Sequence, residues 1–207
     1  MKFVEQNTQY QTLKIASEGL YTESGSRFIA YCYRVEDEDV VKQIKEKLRK
    51  EHHKAVHVAW ACRIGLDADV ERFSDDGEPS GSAGRPILNE LKSRSLTQCA
   101  VFVVRYFGGK KLGIPGLIHA YGAAAADGIE HNQIVIIPIQ ECYKVTCSES
   151  DMHMVIHEIN KAGARITDTE FGETCNFMIT FNSDKHDKII QKMESIWQIE
   201  VAFSHRF

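Results

Sequence analysis

The chain has 207 residues, 43% hydrophobic and 26% charged, the balance of an ordinary globular protein rather than a disordered or fibrous one. Its 25 lysines and arginines against 29 acids leave a net charge of −4, which argues against a general nucleic-acid coating protein, since phosphate binding draws on many cations. No stretch approaches the roughly 18 apolar residues of a membrane span, no apolar leader opens the chain, and the six cysteines lack a CxxC pair, so a cytoplasmic protein with reduced thiols is expected.

Two strands are predicted first, YQTLKIA and RFIAYCYRV, joined as a hairpin across a turn-rich segment holding Ser24, Gly25 and Ser26. Asp37, Glu38 and Asp39 then precede Val40, Val41, Ile44 and Leu48 at helical spacing, with Lys45, Lys47, Arg49 and Lys50 toward the end. Acids first and bases last complement a helix dipole. In AVHVAWACRI, Val56, Val58, Trp60, Cys62 and Ile64 predict the core face of a strand. His57, Ala59, Ala61 and Arg63 form a small, polar face turned away from it. After a loop, Pro86 opens a short helix with Ile87, Leu88 and Leu91, and CAVFVVRY reads as a central buried strand. A helix from Pro115 to about Glu130 has an alanine-rich body, which implies close packing on a neighbour.

The first domain is placed at residues 1–138, closing with IVIIPIQ at Pro138, and the second at 139–207. The second reads as strand ECYKVTCS, a helix carrying Met152, Val155, Ile156 and Ile159 and stopped by Gly163, strands ARITDTEF and CNFMITF, a helix carrying Ile189, Ile190, Met193, Ile196 and Trp197, and strand IEVAFSHRF. That is βαββαβ, the order of a ferredoxin-like domain, with Ser150 and Ser183 at the expected N-caps.

RYFGGKKLGIPG, residues 105–116, runs from the buried strand through Gly108, Gly109, Lys110, Lys111 and Gly113 into the helix at Pro115. Open amides, a helix N-terminus and two cations suit an anion. The spacing matches neither GxxxxGK[ST] nor GxGxxG, and a glycine hairpin with solvated lysines fits the same residues. In DDGEPSGSAGRP, residues 75–86, Asp75, Asp76 and Glu78 precede Ser80, Ser82 and Arg85. The carboxylates could hold magnesium, orient a substrate hydroxyl or pair with the basic stretch, or stand exposed on an Asp-Gly turn. No GxSxG surrounds the serines. His57 and His119 are candidate acceptors or bases. His153 and His157 lie one helical turn apart but lack the glutamate of HExxH, and they read as a solvated face.

SRFIA at 26–30, His57, DDGEPSGSAGRPIL at 75–88 and VVRYFGGKKLGIPGLIHAYG at 103–122 together resemble the YigZ/IMPACT family, the last two strings being long and specific. The βαββαβ remainder resembles the small C-terminal domain of bacterial members. The resemblance implies an α+β protein: an N-terminal α/β sandwich of ribosomal protein S5 domain 2 type, then a ferredoxin-like domain. It also implies binding to RNA, the ribosome or a protein partner of translation, with a role in translation regulation. On that view Arg63, Arg85, Arg105, Lys110 and Lys111 contact phosphates and Tyr106 or Phe107 stacks. Ser80, Ser82, Gly108, Gly109, Gly113, His119 and Tyr121 complete the surface.

The alternative is a metal-assisted hydrolase or phosphoryl-transfer enzyme, with Asp75, Asp76 and Glu78 around magnesium and His57 as base. Three positions depart from the family pattern: Pro115 stands for a usual glycine, His119 for an arginine, and Ser82 for a threonine. Replacing arginine by histidine removes constant positive charge. Both readings require the acidic and glycine-rich stretches to fold together in the N-terminal half.

Overall fold

β6 (Cys99–Tyr106) occupies the middle of a five-stranded antiparallel sheet because neither of its faces is polar until Arg105. The computed structural model describes residues 7–197 and 199–207. Around β6 the sheet runs β2 (Ser17–Glu23), β3 (Ser26–Arg34), β6, β4 (His57–Ile64), β5 (Val70–Ser74) in spatial order, every pair antiparallel. Side chains alternate across a strand. Cys99, Val101 and Val103 therefore meet one layer, α2 (Gly84–Ser93) and α3 (Gly113–Glu130), while Ala100, Phe102 and Val104 meet α1 (Glu38–Glu51) on the other side.

The face of β4 read as turned away from the core is in fact the better covered one. Ala59 and Ala61 are fully buried under α2 and α3, and their small size is what lets the helices come close. The opening hairpin is also revised. β1 (Gln9–Leu13) pairs with β7 (Ile134–Pro138) in a separate two-stranded sheet, and the partner of β3 is β2 in SEGLYTE, a stretch taken for turn. β2 is an edge strand, and its composition carries little apolar signal because α3 shields it by backbone approach. A Cβ on Gly19 would lie 2.2 Å from the Gly128 nitrogen. Asp127 and His131 of α3 and its C-cap take the outward-facing Leu20 amide and face the Glu18 carbonyl, which blunts the edge. β5 likewise lies in a stretch whose sequence predicts a loop. Asp37 caps α1 by accepting from the Val40 amide, a contact worth about 1 kcal/mol.

The chain divides into two compact units, residues 10–137 and residues 138–207 with 7–9. In the second, β8 (Gln140–Cys147), α4 (Met152–Ala162), β9 (Arg165–Phe171), β10 (Cys175–Asn182), α5 (His186–Glu194) and β11 (Glu200–Arg206) form a four-stranded antiparallel sheet ordered β11-β8-β10-β9. Val145, Phe177 and Ile179 pack under Val155, Ile159, Ile189 and Met193 of the two helices. Gly163 at φ 88 ends α4 in the left-handed region.

Neither expected serine caps its helix. Ser148 accepts from the Asp151 amide in a 3₁₀ turn that precedes α4, and the buried Ser183 hydroxyl makes no hydrogen bond. Ile196 and Trp197 lie beyond the end of α5. All six cysteines are buried and unpaired, and His153 and His157 are exposed. Among the described residues no helix is long and apolar enough to cross a membrane.

Candidate functional site

Register places Phe28, Arg105 and His57 in one row across β3, β6 and β4, on the face covered by α2 and α3. Val103 and Ala59 fill that face further along. At its end the apolar layer gives way to this polar row, where the β5–α2 loop meets α3. Glu78 comes from the loop and Tyr121 from α3. The Arg105 Nη1 donates to Glu78 Oε1 at 2.5 Å, and the Tyr121 hydroxyl donates to the same oxygen at 2.8 Å. Burial, with the Glu78 charge behind it, raises the Tyr121 phenol far above the usual tyrosine range, so the group stays a proton donor. Arg105 is held between the rings of Phe28 and Phe107, with its guanidinium carbon 5.4 and 5.6 Å from their centroids.

The acidic stretch does not act as one cluster. Asp75 Oδ1 accepts from the Ala83 and Gly84 amides and Oδ2 from Gly81, filling the N-terminus of α2. Asp76 accepts from the Val58 amide and from Arg49, with Lys45 3.6 Å away, and its carbonyl accepts from His57 Nδ1 at 2.8 Å. Only Glu78 faces Arg105. Among the described residues no three His, Cys, Asp or Glu side chains stand close enough to share a metal ion. Asp75, Asp76 and Glu78 are therefore not gathered as a three-carboxylate site.

The glycine stretch is shaped by packing as much as by any ligand. Gly108 lies against the β2–β3 turn, where a Cβ on it would fall 1.9 Å from the Gly25 carbonyl carbon, and its amide donates to Ser26 Oγ. Gly109 turns at φ +88 with nothing within 4 Å of a Cβ. Lys110 and Lys111 are exposed and make no ion pair among the described residues. α3 starts at Gly113 without a side-chain cap. Phe107 is 49% exposed, so it can both cover Arg105 and offer a ring to solvent.

The remaining expected residues divide. His57 joins the row, and its Nε2 stands 3.8 Å from Glu78 Oε1. His119 is exposed, edge-on to Tyr21 with centroids 5.5 Å apart. Ser80 is exposed, whereas the buried Ser82 hydroxyl donates to the Pro79 carbonyl. Arg85 lies over Phe73. Arg63 is at the opposite end of β4, bound to Glu71 and the Leu96 carbonyl, and so does not belong to the site. Tyr106 points to the α1 side, where its hydroxyl and that of Tyr31 bracket the two ring nitrogens of His52 at 2.8 and 2.9 Å.

Sequence reasoning missed Phe28, which only the strand register reveals, and Arg49, which reaches Asp76 from a helix remote in sequence. Burial raises the Cys32 and Cys99 thiols to about 12 and the Cys62 thiol to about 11, which makes them poor nucleophiles.

Residues 24–129, which contain the whole row, match the Impact N-terminal domain. The IMPACT family member YvyE of Bacillus subtilis is 33% identical over 168 residues, 81% of this chain and 77% of that protein. The IMPACT family member YigZ of Escherichia coli is 41% identical over 99 residues, 47% of this chain and 48% of its own. A solved structure of a hypothetical protein shares the fold, with a TM-score of 0.73 at 22% identity over 97% of this chain and 99% of its own. With the motif strings, the matched domain and these relatives in agreement, the chain belongs to the IMPACT family.

Proposed function

We propose that this chain binds single-stranded RNA or an RNA-containing translation partner such as the ribosome, in a translation-related role consistent with its family. The observation that carries this reading is the presence of two exposed lysines, Lys110 and Lys111, without an ion pair among the described residues, beside the half-exposed ring of Phe107 on one glycine loop. The loop's base is rigid: Arg105 is tied to Glu78 and Tyr121, and Gly108 is pressed on the Gly25 turn. A fixed ring for base stacking beside free cations for phosphates is the chemistry that single strands use. The uncapped start of α3 adds open amides and a favourable dipole for a phosphate. Arg105 itself is committed to Glu78, so it supports the surface rather than contacting phosphate.

The order β11-β8-β10-β9, with both helices packed on the sheet, supports a ferredoxin-like assignment for the second unit. For the first unit we assign the ribosomal protein S5 domain 2 type, on its antiparallel sheet with α2 and α3 on one face.

The test is binding of a labelled RNA oligonucleotide at increasing salt. Affinity should fall as salt rises, and Lys110→Ala with Lys111→Ala should weaken binding about tenfold or more. The same double substitution should flatten the log–log salt slope by roughly 1.4, at about 0.7 per phosphate on a single strand. Binding indifferent to both salt and the lysines would end the proposal.

A further inference from the structure

Glu78 and His57 leave two hydrogen-bond acceptors unfilled at the edge of the site. Both Arg105 and Tyr121 donate to Oε1 of Glu78, and among the described residues Oε2 receives no hydrogen bond. The Glu78 side chain keeps only 4% of its surface exposed, and Oε2, the oxygen that neither donor uses, is not fully sealed from solvent. The His57 Nδ1–H donates to the Asp76 carbonyl, an atom that can only accept, so in its neutral form the ring presents Nε2 as an acceptor. At 3.8 Å from Glu78 Oε1 it is too far for a direct bond and near enough for one ligand to meet both groups. The ring keeps 18% of its side-chain surface exposed. Gly77 lies beside it at φ +91, where a Cβ would come within 3.4 Å of the ring, so the glycine leaves it uncovered.

The ligand that fits two acceptors is a donor. An ammonium group is disfavoured, because the Arg105 guanidinium already neutralises Glu78 and would repel a second cation. A neutral hydroxyl has no such penalty. The neighbouring Phe107 ring, stacked on the same Arg105, would hold the base of the nucleotide whose sugar lies here. Resting on the RNA-binding reading above, we infer that His57 Nε2 and Glu78 Oε2 accept hydrogen bonds from ribose hydroxyls, the 2′-hydroxyl above all, and so distinguish RNA from DNA. The 2′-hydroxyl carries one proton and fills one of the two acceptors, the second being open to another hydroxyl or to water; DNA lacks that donor and would leave the acceptor facing the sugar unpaired.

The experiment compares three 5′-labelled single strands of one sequence by fluorescence anisotropy at low salt: all ribose, all deoxyribose, and ribose with only the 3′-terminal sugar lacking both hydroxyls. RNA should bind about tenfold more tightly than DNA, and His57→Ala should bring that ratio close to one. If the third strand behaves as RNA, the hydroxyl is internal; if it behaves as DNA, it is the terminal pair. Equal affinity of the unaltered protein for RNA and DNA, within twofold, would overturn the ribose inference while leaving strand binding intact. Failure to bind either strand would overturn the reading beneath it. Should His57→Ala fold poorly by circular dichroism, His57→Asn serves instead. Its side chain is shorter, and the RNA-to-DNA ratio should again fall toward one.

Discussion

Glu78 and Arg105 form an ion pair 2.5 Å long in which the side chains are only 4% and 8% exposed. Such a pair holds two segments in register, but removing one partner strands a charge in a poorly solvated place. Arg105→Met alone should therefore cost about 3 kcal/mol or more in a denaturant titration. Pairing it with Glu78→Leu should recover much of that loss, although the Tyr121 hydroxyl then loses its acceptor. A double variant no more stable than Arg105→Met would mean that packing of Arg105 between Phe28 and Phe107 outweighs its charge.

Tyr31 is expected to ionise late. Burial, reinforced by nearby acids, raises its phenol to about 12 from the ordinary 10.0. The folded state thus holds the proton more tightly than the unfolded chain. The stability this contributes is complete below pH 10 and is lost as pH rises toward 12. Tyrosinate absorbance should show a late step coincident with unfolding, reduced in Tyr31→Phe and reduced separately in Tyr121→Phe. If every tyrosine titrated near its ordinary value while the fold persisted, the burial of both phenols would be disproved.

Much of this architecture was legible because one pattern dominated each segment. The run CAVFVVRY has no polar residue before Arg105, and only a central strand buries both faces. The acid-first, base-last arrangement of α1 and the βαββαβ order of the second unit were equally plain. What failed were segments whose partners decide their role. β2 looks like a turn because Gly19 and its polar neighbours are selected for the backbone of α3 rather than for a hydrophobic face. The Ala59–Ala61 face looks exposed because small residues resemble surface until helices are known to lie on them.

The site was legible as two strings and illegible as a geometry. No spacing rule shows that Asp75 and Asp76, adjacent in sequence, serve different elements, one capping α2 and the other accepting from Arg49 and the β4 backbone. Likewise Arg63 shares a strand face with His57, yet β4 is long enough to place them at opposite ends of the sheet.

The two glycines of the loop should respond differently to alanine. At Gly108 a Cβ would collide with backbone at 1.9 Å, so the turn and the loop must separate, at a cost of roughly 1–3 kcal/mol or more. At Gly109 the space is open, and only the strain of φ +88 applies, about 1–2 kcal/mol. If the glycine loop binds RNA as proposed, Gly108→Ala should also impair that binding by displacing Phe107 and Lys110, whereas Gly109→Ala should do so less. Thermal melts and anisotropy on the same two variants separate the effects, and equal behaviour would argue against the Gly108–Gly25 contact as the anchor.

Asp75 offers a direct comparison between a structural and a metal-binding role for the acidic stretch. Its carboxylate receives three backbone amides, those of Gly81, Ala83 and Gly84, at 2.8, 3.0 and 2.8 Å, and α2 has no other side-chain cap. Asp75→Ala should thus lower stability by about 2 kcal/mol, at the upper end for a lost cap. Asp75→Asn should lose less, because its remaining oxygen can serve Ala83 and Gly84 while its amide faces the Gly81 donor unfavourably. Millimolar magnesium should shift the melting temperature of the unaltered protein and of Asp75→Asn by the same small amount, since amides already occupy three of the roughly four acceptor sites of the carboxylate. A magnesium-dependent stabilisation present in the parent and absent from Asp75→Asn would instead make that carboxylate a ligand, and the loop would have to rearrange to supply it.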